Sequence, residues 1–290
     1  MNNNSLTVYL HDVPIGELLR LPGERIVFAF NENYIDDSAR KTLSLSFYDK
    51  FNELIVSQRP THLKALPFFS NLLPEGHLRA YLAQQVAIKA ERDFPLLELL
   101  GEDLPGAVTI KTTESINLPD ELAAFDQHAN ADSLLKFSLA GMQLKFSAML
   151  ESTGGLTIPA HGVGGDYIVK LPSYKFNHVA ENEFSMMTLA KLVGIEVPEI
   201  KLINLGDIDG LPMLPEKLPA QKALLVKRFD REAGQKIHME DMAQVYRLYA
   251  SDKYDKVSYG NILGLLTAAT KSDNALKLIR QIVFSALIGN

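Results

Sequence analysis

The sequence predicts an α+β protein with two lobes and a separate N-terminal α+β subdomain. Alternating strand patterns and short helical patterns fill the first third of the chain, and a polar stretch then interrupts them. Beyond that stretch strands return first, and helical patterns dominate the end. We therefore expect an N-terminal subdomain over 1–112, a linker over 113–132, and a core over 133–290 in which a β-rich lobe precedes the beginning of a helical lobe.

Three segments of the first third alternate between apolar and polar residues, as half-buried strands do. They are LTVYLHDVPIGEL over 6–18, RIVFAFNENYI over 25–35 and TLSLSFYD over 42–49. Helical spacing replaces the alternation over 67–88, with a break at Pro74 to Gly76, and recurs over 93–100 before Gly101. A last short strand is predicted near 107–110.

Residues 112–132 are polar, rich in acidic side chains and without a period, so they form the best boundary in the sequence. Strand patterns return over 134–151, 161–172, 198–206 and 222–231. A helix with an apolar stripe is predicted over 179–195. A β-rich lobe joined to a helical lobe leaves a cleft at the join, where ligands commonly bind.

Composition excludes several classes of function. Of the 290 residues, 47% are hydrophobic and 22% charged, and the net charge of −6 argues against wholesale nucleic-acid binding. The chain has no cysteine, which excludes disulfides, thiolate metal sites and a cysteine nucleophile. The seven histidines include no pair at i, i+4, so a dedicated metal site is not expected.

The N-terminal segment MNNNSLTVYL has neither a basic region nor an apolar core, so no secretory signal is expected. No segment approaches the roughly 18 apolar residues that would span a bilayer. A reducing cytoplasm fits a chain without cysteine. We expect a soluble, cytoplasmic protein that has no membrane partner.

The segment KFSLAGMQLKFS, over 136–147, is a candidate phosphate loop. Ser138 and Gly141 are small residues between two strands, where backbone N–H groups can approach a phosphate, and Lys145 lies on the returning strand. An ordinary hairpin with a glycine turn explains the same spacing. The segment has neither the Walker spacing nor the six-residue glycine motif of protein kinases and Rossmann folds.

Two further strands carry candidate binding residues. Lys170 ends the strand YIVK, and the helix that follows bears Glu183. In phosphotransferases, a strand lysine of this kind binds nucleotide phosphates and a helix glutamate orients it; a solvated lysine at a strand end is the alternative. The strand LLVKRFDR, over 224–231, is a candidate to present backbone groups to an adenine ring, or it is a core strand with a solvated charged end.

These segments together resemble the HipA family of bacterial serine/threonine kinases, the toxin partners of HipB-type antitoxins. PFFSNLLPEG and RDFPLLELLGEDLPGAVTI are similar to the family's N-terminal subdomain, and FSLAGMQLKFSAML to its phosphate loop. YIVKLPS is similar to the ATP-binding lysine strand, AENEFSMMTLAKLVGIEVPE to the helix after it, and LLVKRFDR with HMEDMAQVYRLYASDKYD to the hinge strand and the segment that follows. The resemblance covers nearly the whole chain and implies a two-lobed HipA-like fold, related to protein and lipid kinases.

The resemblance also implies roles for matching residues. Ser138 matches the loop serine that family members autophosphorylate, which moves the loop out of the ATP site. Lys145 matches the lysine of the loop, and Lys170 matches the lysine that binds the nucleotide phosphates, with Glu183 in support. The implied ATP-binding residues are Ser138, Leu139, Ala140, Gly141, Lys145, Lys170, Leu225, Lys227 and Phe229.

The backbone from Leu225 to Phe229 matches the adenine hinge of the family. Lys227 stands where some members carry glutamate, a difference that should matter little if the backbone makes the contact.

In the family, the helix that ends in LIG leads into the catalytic loop, which holds an aspartate as base and an asparagine that binds Mg²⁺. Asn290 stands just before the expected aspartate, so the resemblance places the catalytic and metal-binding residues beyond it and leaves the helical lobe incomplete. ATP and Mg²⁺ are the cofactors implied for the complete kinase. Phosphoryl transfer by residues 1–290 alone is not expected.

The resemblance implies as partners a HipB-like antitoxin and a protein substrate such as an aminoacyl-tRNA synthetase, with DNA contacted only indirectly through the antitoxin. Two interpretations stay open. The chain is a portion or a shortened form of a HipA-type kinase toxin of a type II toxin–antitoxin system, or it is a non-catalytic relic that binds an antitoxin or another subunit. A nucleotide-binding regulator unrelated to kinases would require the matching motifs to be coincidence.

Overall fold

The computed structural model describes residues 4–85, 87–112, 145–150, 156–157, 165–173, 176–211, 222–270 and 272–289. The predicted linker over 113–132 lies outside these ranges, as does the predicted phosphate loop from Ser138 to Gly141.

The N-terminal region contains a five-stranded antiparallel sheet. Its strands are β1 (Ser5–Leu10), β2 (Val13–Leu21), β3 (Arg25–Phe30), β4 (Thr61–His62) and β5 (Val108–Thr112), in the order β4-β3-β2-β1-β5. Strand β1 buries Leu6, Val8 and Leu10 and leaves the residues between them only partly covered. The period of two in the sequence therefore becomes one buried face and one partly solvated face.

Four helices of this region pack against the sheet: α1 (Glu32–Asp36), α2 (Pro67–Ser70), α3 (Gly76–Gln85) and α4 (Asp93–Leu100). Helix α1 begins at Asn31, whose side chain accepts a hydrogen bond from the N–H of Tyr34. Gly76, with φ of 56°, is the last residue of the break that the sequence predicts between α2 and α3.

One predicted strand of this region is wrong. The segment 42–49 holds a 3₁₀ helix over Leu45–Phe47. The side chain of Ser44 accepts a hydrogen bond from the N–H of Ser46, which caps this turn and competes with a strand ladder. Phe47 is buried against Phe28, 5.7 Å between ring centroids, so the alternating pattern reflects aromatic packing.

A second, six-stranded sheet forms the central part of the chain. Its order is β10-β7-β6-β8-β11-β9, and every pair is antiparallel except β7 with β10. The strands are β6 (Lys145–Leu150), β7 (Leu156–Thr157), β8 (Tyr167–Lys170), β9 (Ile200–Asn204), β10 (Ile208–Asp209) and β11 (Lys222–Lys227).

The two faces of this sheet bury different partners. Phe146, Val169 and Leu225 belong to the large core that includes the N-terminal sheet. On the opposite face, Leu224 and Val226 pack against helix α5 (Val179–Leu192). Strand β11 is therefore covered on both sides, which explains why its four inner residues are all apolar and buried.

The remainder is a small hairpin followed by helices. The hairpin pairs β12 (Arg231–Glu232) with β13 (Gln235–Lys236), and the helices are α6 (Met242–Val245), α7 (Tyr259–Ala269) and α8 (Ser272–Ile288). Around α6 the chain returns to the N-terminal region, where the side chain of Gln244 donates to the carbonyl of Phe68 at 2.9 Å.

The α+β fold with predominantly antiparallel sheets confirms the predicted fold class. No helix in the part of the chain that the structure describes combines the length and apolar character needed to cross a bilayer.

Candidate functional site

Two predicted lysines lie side by side on the second sheet. Lys145, the first residue of β6, is directly opposite Lys170, the last residue of β8, and Lys170 is opposite Leu224 of β11. Directly opposite residues of antiparallel strands point to the same face. Because Leu224 packs against α5, both lysines lie on the face that α5 covers.

Helix α5 supplies a carboxylate to this face. Nζ of Lys170 forms a salt bridge with Oε1 of Glu183, and each side chain keeps about a quarter of its surface exposed, 25% and 28%. The pair joins a strand to the helix that follows it, which is the arrangement the sequence predicts. Lys170 is therefore held in place by an ion pair and is only partly exposed.

Lys145 is the less compensated of the two lysines. Burial, together with the positive charge of Lys170, lowers the pKa of Lys145 to about 8. The carboxylates of Glu75 and Glu183 oppose this shift, and a third lysine, Lys253, adds to it. No salt bridge to Lys145 is found among the described residues, so an anion that reached this position would gain a charged partner.

Lys253 reaches the neighbourhood from the segment after α6. Its Nζ lies 2.6 Å from Oε1 of Glu75 and 3.3 Å from Oδ2 of Asp241. These two carboxylates outweigh burial and raise the pKa of Lys253. Glu75 belongs to the N-terminal region, so the three lysines, Lys145, Lys170 and Lys253, lie where that region, the second sheet and the following segment meet.

The predicted hinge, Leu225–Phe229, is paired along most of its length. Leu225 lies between Val169 of β8 and Lys201 of β9. Beyond it, the N–H of Lys227 donates to the carbonyl of Glu199 and the N–H of the next residue donates to that of Asp166, at 2.9 and 2.8 Å. The end of the hinge at Phe229, whose side chain is 68% exposed, is therefore the part best placed to meet a ligand.

Four charged side chains at this end of the hinge are buried together: Asp103, Arg228, Asp230 and Arg231, named here the ion cluster. Arg228 binds Asp230 with two hydrogen bonds of 2.9 and 2.8 Å, and Arg231 binds Asp103 at 2.9 Å. The sequence allowed a solvated charged end to this strand, and the structure buries it.

The remaining candidates are the residues of the predicted phosphate loop and a metal site. Ser138, Leu139, Ala140 and Gly141 lie outside the described residues. Within the described ranges, no three histidine, aspartate or glutamate side chains come together in a way that could hold a metal ion.

A cleft of about 740 Å³ opens between α5 and α8. Glu183 contributes to its wall, and Met187, Tyr259 and Phe284 are among the apolar residues that line it. The cleft lies at the join between the β-rich lobe and the helices, where the sequence predicts one.

The sequence interpretation missed Glu75, Lys253 and the ion cluster. Glu75 lies 178 positions from Lys253 in the chain, and no short-range pattern reports a pair so distant. The ion cluster had a local signal, because the alternating charges of Arg228, Asp230 and Arg231 follow an apolar strand without a turn of small residues.

Family models match most of the chain. The model described as HipA N-terminal domain matches residues 6–111, and the model described as HipA-like C-terminal domain matches residues 137–290.

Two curated proteins illustrate the range of sequence similarity. "Putative kinase Y4dM" of Sinorhizobium fredii is 49% identical over 289 residues, which cover 98% of this chain and 70% of that protein. "Serine/threonine-protein kinase toxin HipA" of Shewanella oneidensis is 26% identical over 274 residues, which cover 87% of this chain and 57% of that protein. The chain thus corresponds to between 57% and 70% of the length of these two proteins.

A solved structure shares the fold. It is titled "Shewanella oneidensis MR-1 Toxin Antitoxin System HipA, HipB and its operator DNA complex" and aligns with a TM-score of 0.68. The alignment covers 98% of this chain and 70% of that chain at 20% identity.

Proposed function

The chain belongs to the HipA family, and from this membership we propose that it carries the nucleotide-binding part of a serine/threonine-protein kinase. The proposed reaction is ATP-dependent phosphorylation of a protein hydroxyl. The observation that carries the proposal is the row of Lys145 and Lys170 on one sheet face, with Glu183 of the covering helix bound to Lys170. Phosphoryl transfer depends on positioning and charge stabilisation, and this row offers both to a chain of phosphates.

The described residues fit a polyphosphate. Lys145 is a half-buried cation whose charge is not paired by a carboxylate among the described residues, and phosphate oxygens would restore the balance. Lys170 is oriented by Glu183 and keeps donors for a second phosphate. In the proposal, backbone N–H groups from Ser138 to Gly141 complete the phosphate site.

The adenine ring is proposed to lie at the Phe229 end of the hinge. Leu224, opposite Lys170, and Phe229 are five positions apart, which corresponds to about 16 Å of extended chain. An extended nucleoside triphosphate can bridge such a separation. The exposed ring of Phe229 offers an apolar surface to the base.

The proposal assigns Mg²⁺ and the catalytic aspartate to residues outside 1–290, as the resemblance implies. When bound, Mg²⁺ neutralises charge that develops on the transferred group. The described residues do not supply a metal site of their own. Their part is to bind the nucleotide and to orient its phosphates.

The wider biological role is also a proposal. A HipA-type toxin of a type II toxin–antitoxin system would act with a HipB-like antitoxin, through which it would reach DNA, and would phosphorylate a protein such as an aminoacyl-tRNA synthetase. The titles of the relatives support this proposal, because one names a kinase toxin and the other a complex of HipA, HipB and operator DNA. A cytoplasmic location belongs to the same proposal.

A second candidate is a non-catalytic module that binds an antitoxin or another subunit. It is favoured by the exposed apolar side chains of α8, where Val283 is 52% and Leu287 81% exposed. Exposed apolar residues that cluster on one element mark contact surfaces. The two candidates differ in whether ATP binds and whether phosphate is transferred.

The proposal is tested by incubating radiolabelled Mg-ATP and candidate protein substrates with two forms of the protein. One form is the 290-residue chain, and the other continues through the expected catalytic loop. We expect transfer by the longer form and none by the 290-residue chain, because positioned acid–base help alone is worth about 10²- to 10⁴-fold. Comparable transfer by both forms would show that the catalytic residues lie within residues 1–290, and no transfer by either form would favour the second candidate.

A further inference from the structure

The ion cluster connects the N-terminal region with the end of the predicted hinge. Asp103 follows helix α4, whereas Arg228, Asp230 and Arg231 follow or begin strands of the central region. Nη1 of Arg228 lies 3.3 Å from Oδ1 of Asp103, and Nη2 of Arg231 lies 2.9 Å from the same oxygen. One carboxylate of the N-terminal region therefore binds two arginines that lie on either side of Phe229.

Backbone contacts strengthen this connection. The N–H of Gly106 donates to Oδ2 of Asp230 at 2.9 Å, and Arg231 donates to the carbonyl of Gly106 at 3.0 Å. Arg231 also donates to the carbonyl of Leu104 at 3.2 Å. Gly106 has φ of 75°, and a Cβ there would lie 2.9 Å from the backbone N of Met239. The turn at 104–106 is thus tightly packed, so a shift of this turn would move Asp230 and Arg231 with it.

The charges of the ion cluster balance, with two aspartates and two arginines. The hydrogen bonds of Arg228 and the charges of both arginines hold the pKa of Asp230 below its ordinary value, so this carboxylate stays ionised although it is buried. A buried network of paired charges with several hydrogen bonds holds one geometry, because each alternative leaves a charge unpaired.

Phe229 lies within this network in sequence but outside it in space. Its neighbours Arg228 and Asp230 are 3% and 4% exposed, whereas Phe229 is 68% exposed. The chain on both sides of Phe229 is therefore fixed, and the ring is directed outward from a rigid turn. Such a ring is pre-organised for contact with a flat ligand.

We infer that the N-terminal region takes part in base recognition, with Asp103 as a positioning residue that holds Phe229 against the nucleotide base through Arg228 and Arg231. The inference deepens the proposed function and depends on it, because it assumes that a nucleotide binds at the hinge. Asp103 itself touches no ligand in this arrangement. Replacing Asp103 should therefore weaken the contribution of the base to the affinity for ATP and leave the contribution of the phosphates unchanged.

The experiment measures binding of ATP and of inorganic triphosphate to the 290-residue chain by calorimetry. The main variant combines Asp103→Asn with Arg231→Gln, which removes one charge of each sign and leaves Arg228 paired with Asp230. The matched control combines Glu24→Gln with Arg92→Gln, an ion pair of 2.8 Å in the same N-terminal region and far along the chain from the hinge. Urea unfolding of each variant verifies that it is folded.

Two single variants keep the test decisive. Asp103→Glu keeps the charge and displaces the carboxylate by one methylene, so it decides the question if the double variant does not fold. Phe229→Ala removes the exposed ring and should not disturb the core.

We expect the main variant and Phe229→Ala to weaken ATP about tenfold, a change equivalent to about 1.4 kcal/mol, and to leave triphosphate binding unchanged. Asp103→Glu should weaken ATP in the same direction, and the control should alter neither ligand. Equal weakening of both ligands, or unchanged ATP affinity in a folded variant, would overturn the inference. So would a wild type that binds ATP no better than triphosphate, although the phosphate site would then stand. A wild type that binds neither ligand would reject the proposed function itself.

Discussion

Lys145 and Lys170 occupy directly opposite positions on neighbouring antiparallel strands, so two positive charges share one face of the sheet. Like charges in such positions destabilise a sheet. Glu183 compensates Lys170, and the lowered pKa of Lys145 shows that its own charge is not fully compensated. Two apolar residues at these positions would stabilise the sheet more. We therefore connect this pair of lysines with the binding of an anion.

The first prediction concerns pH. Lys145 is charged below its pKa of about 8 and neutral above it, so ATP affinity should fall as pH rises through that value. The measurement is the dissociation constant of ATP across this range. Lys145→Met should bind more weakly and lose the pH dependence in this range. A wild type whose affinity stays flat across the same range would show that Lys145 does not contact the phosphates.

The second prediction separates a binding lysine from a surface lysine. Lys170→Met should lower ATP affinity about tenfold or more, because a hydrogen bond to a charged group contributes about 1.5–3 kcal/mol. Glu183→Gln should have a smaller effect in the same direction, since it removes only the orientation of Lys170. The matched control is Lys191→Met in the last turn of the same helix as Glu183, where the side chain is exposed. Equal losses in Lys191→Met and Lys170→Met would indicate a general charge effect.

The third prediction concerns stability of the N-terminal region. Asp93 is fully buried, lies 2.5 Å from Nη2 of Arg79 and accepts a hydrogen bond from the N–H of Ala65 at 2.8 Å. Asp93→Asn removes the carboxylate charge that pairs with the guanidinium of Arg79, so the free energy of unfolding should fall by about 3 kcal/mol. Urea denaturation monitored by circular dichroism measures it.

The control for the third prediction is Glu24→Gln. Glu24 pairs with Arg92 at 2.8 Å, and its side chain is 39% exposed, so a loss below about 1 kcal/mol is expected. Similar losses in both variants would show that the burial of Asp93 does not determine the energy of its ion pair.

The sequence predicted those features that depend on local pattern. Strand β1 follows from the alternation of Leu6, Val8 and Leu10, and the pair of Lys170 and Glu183 follows from a strand and the helix next in sequence. The same kind of pattern misled at 42–49, because the periodicity of Phe47 and its neighbours arises from packing on Phe28 while Ser44 caps a turn.

The features that the sequence did not predict are contacts between distant parts of the chain. Lys253 pairs with Glu75, and Arg228 pairs with Asp103, only when the N-terminal region packs on the second sheet. Charged residues are usually solvated, so the run Arg228, Asp230 and Arg231 gave a misleading expectation. Tertiary packing instead buries these side chains in balanced pairs.

The fourth prediction concerns the loop serine. In a form of the protein that extends through the expected catalytic loop and is incubated with Mg-ATP, Ser138 should acquire phosphate, as the resemblance to the HipA family implies. Mass spectrometry of proteolytic peptides locates the modification, and Ser138→Ala serves as the control. Phosphate found on other residues and absent from Ser138 would count decisively against the proposed switch of the loop.

The central claim is that Lys145 and Lys170 contact nucleotide phosphates, and affinity labelling tests it most directly. An acyl-phosphate derivative of ATP transfers its acyl group to amines beside the bound phosphates, and mass spectrometry identifies the modified lysines. We predict labelling of Lys145, whose pKa of about 8 leaves an appreciable fraction of reactive amine, and of Lys170, with both reactions suppressed by excess ATP. Labelling that is confined to exposed lysines such as Lys191, and that ATP does not suppress, would contradict the claim.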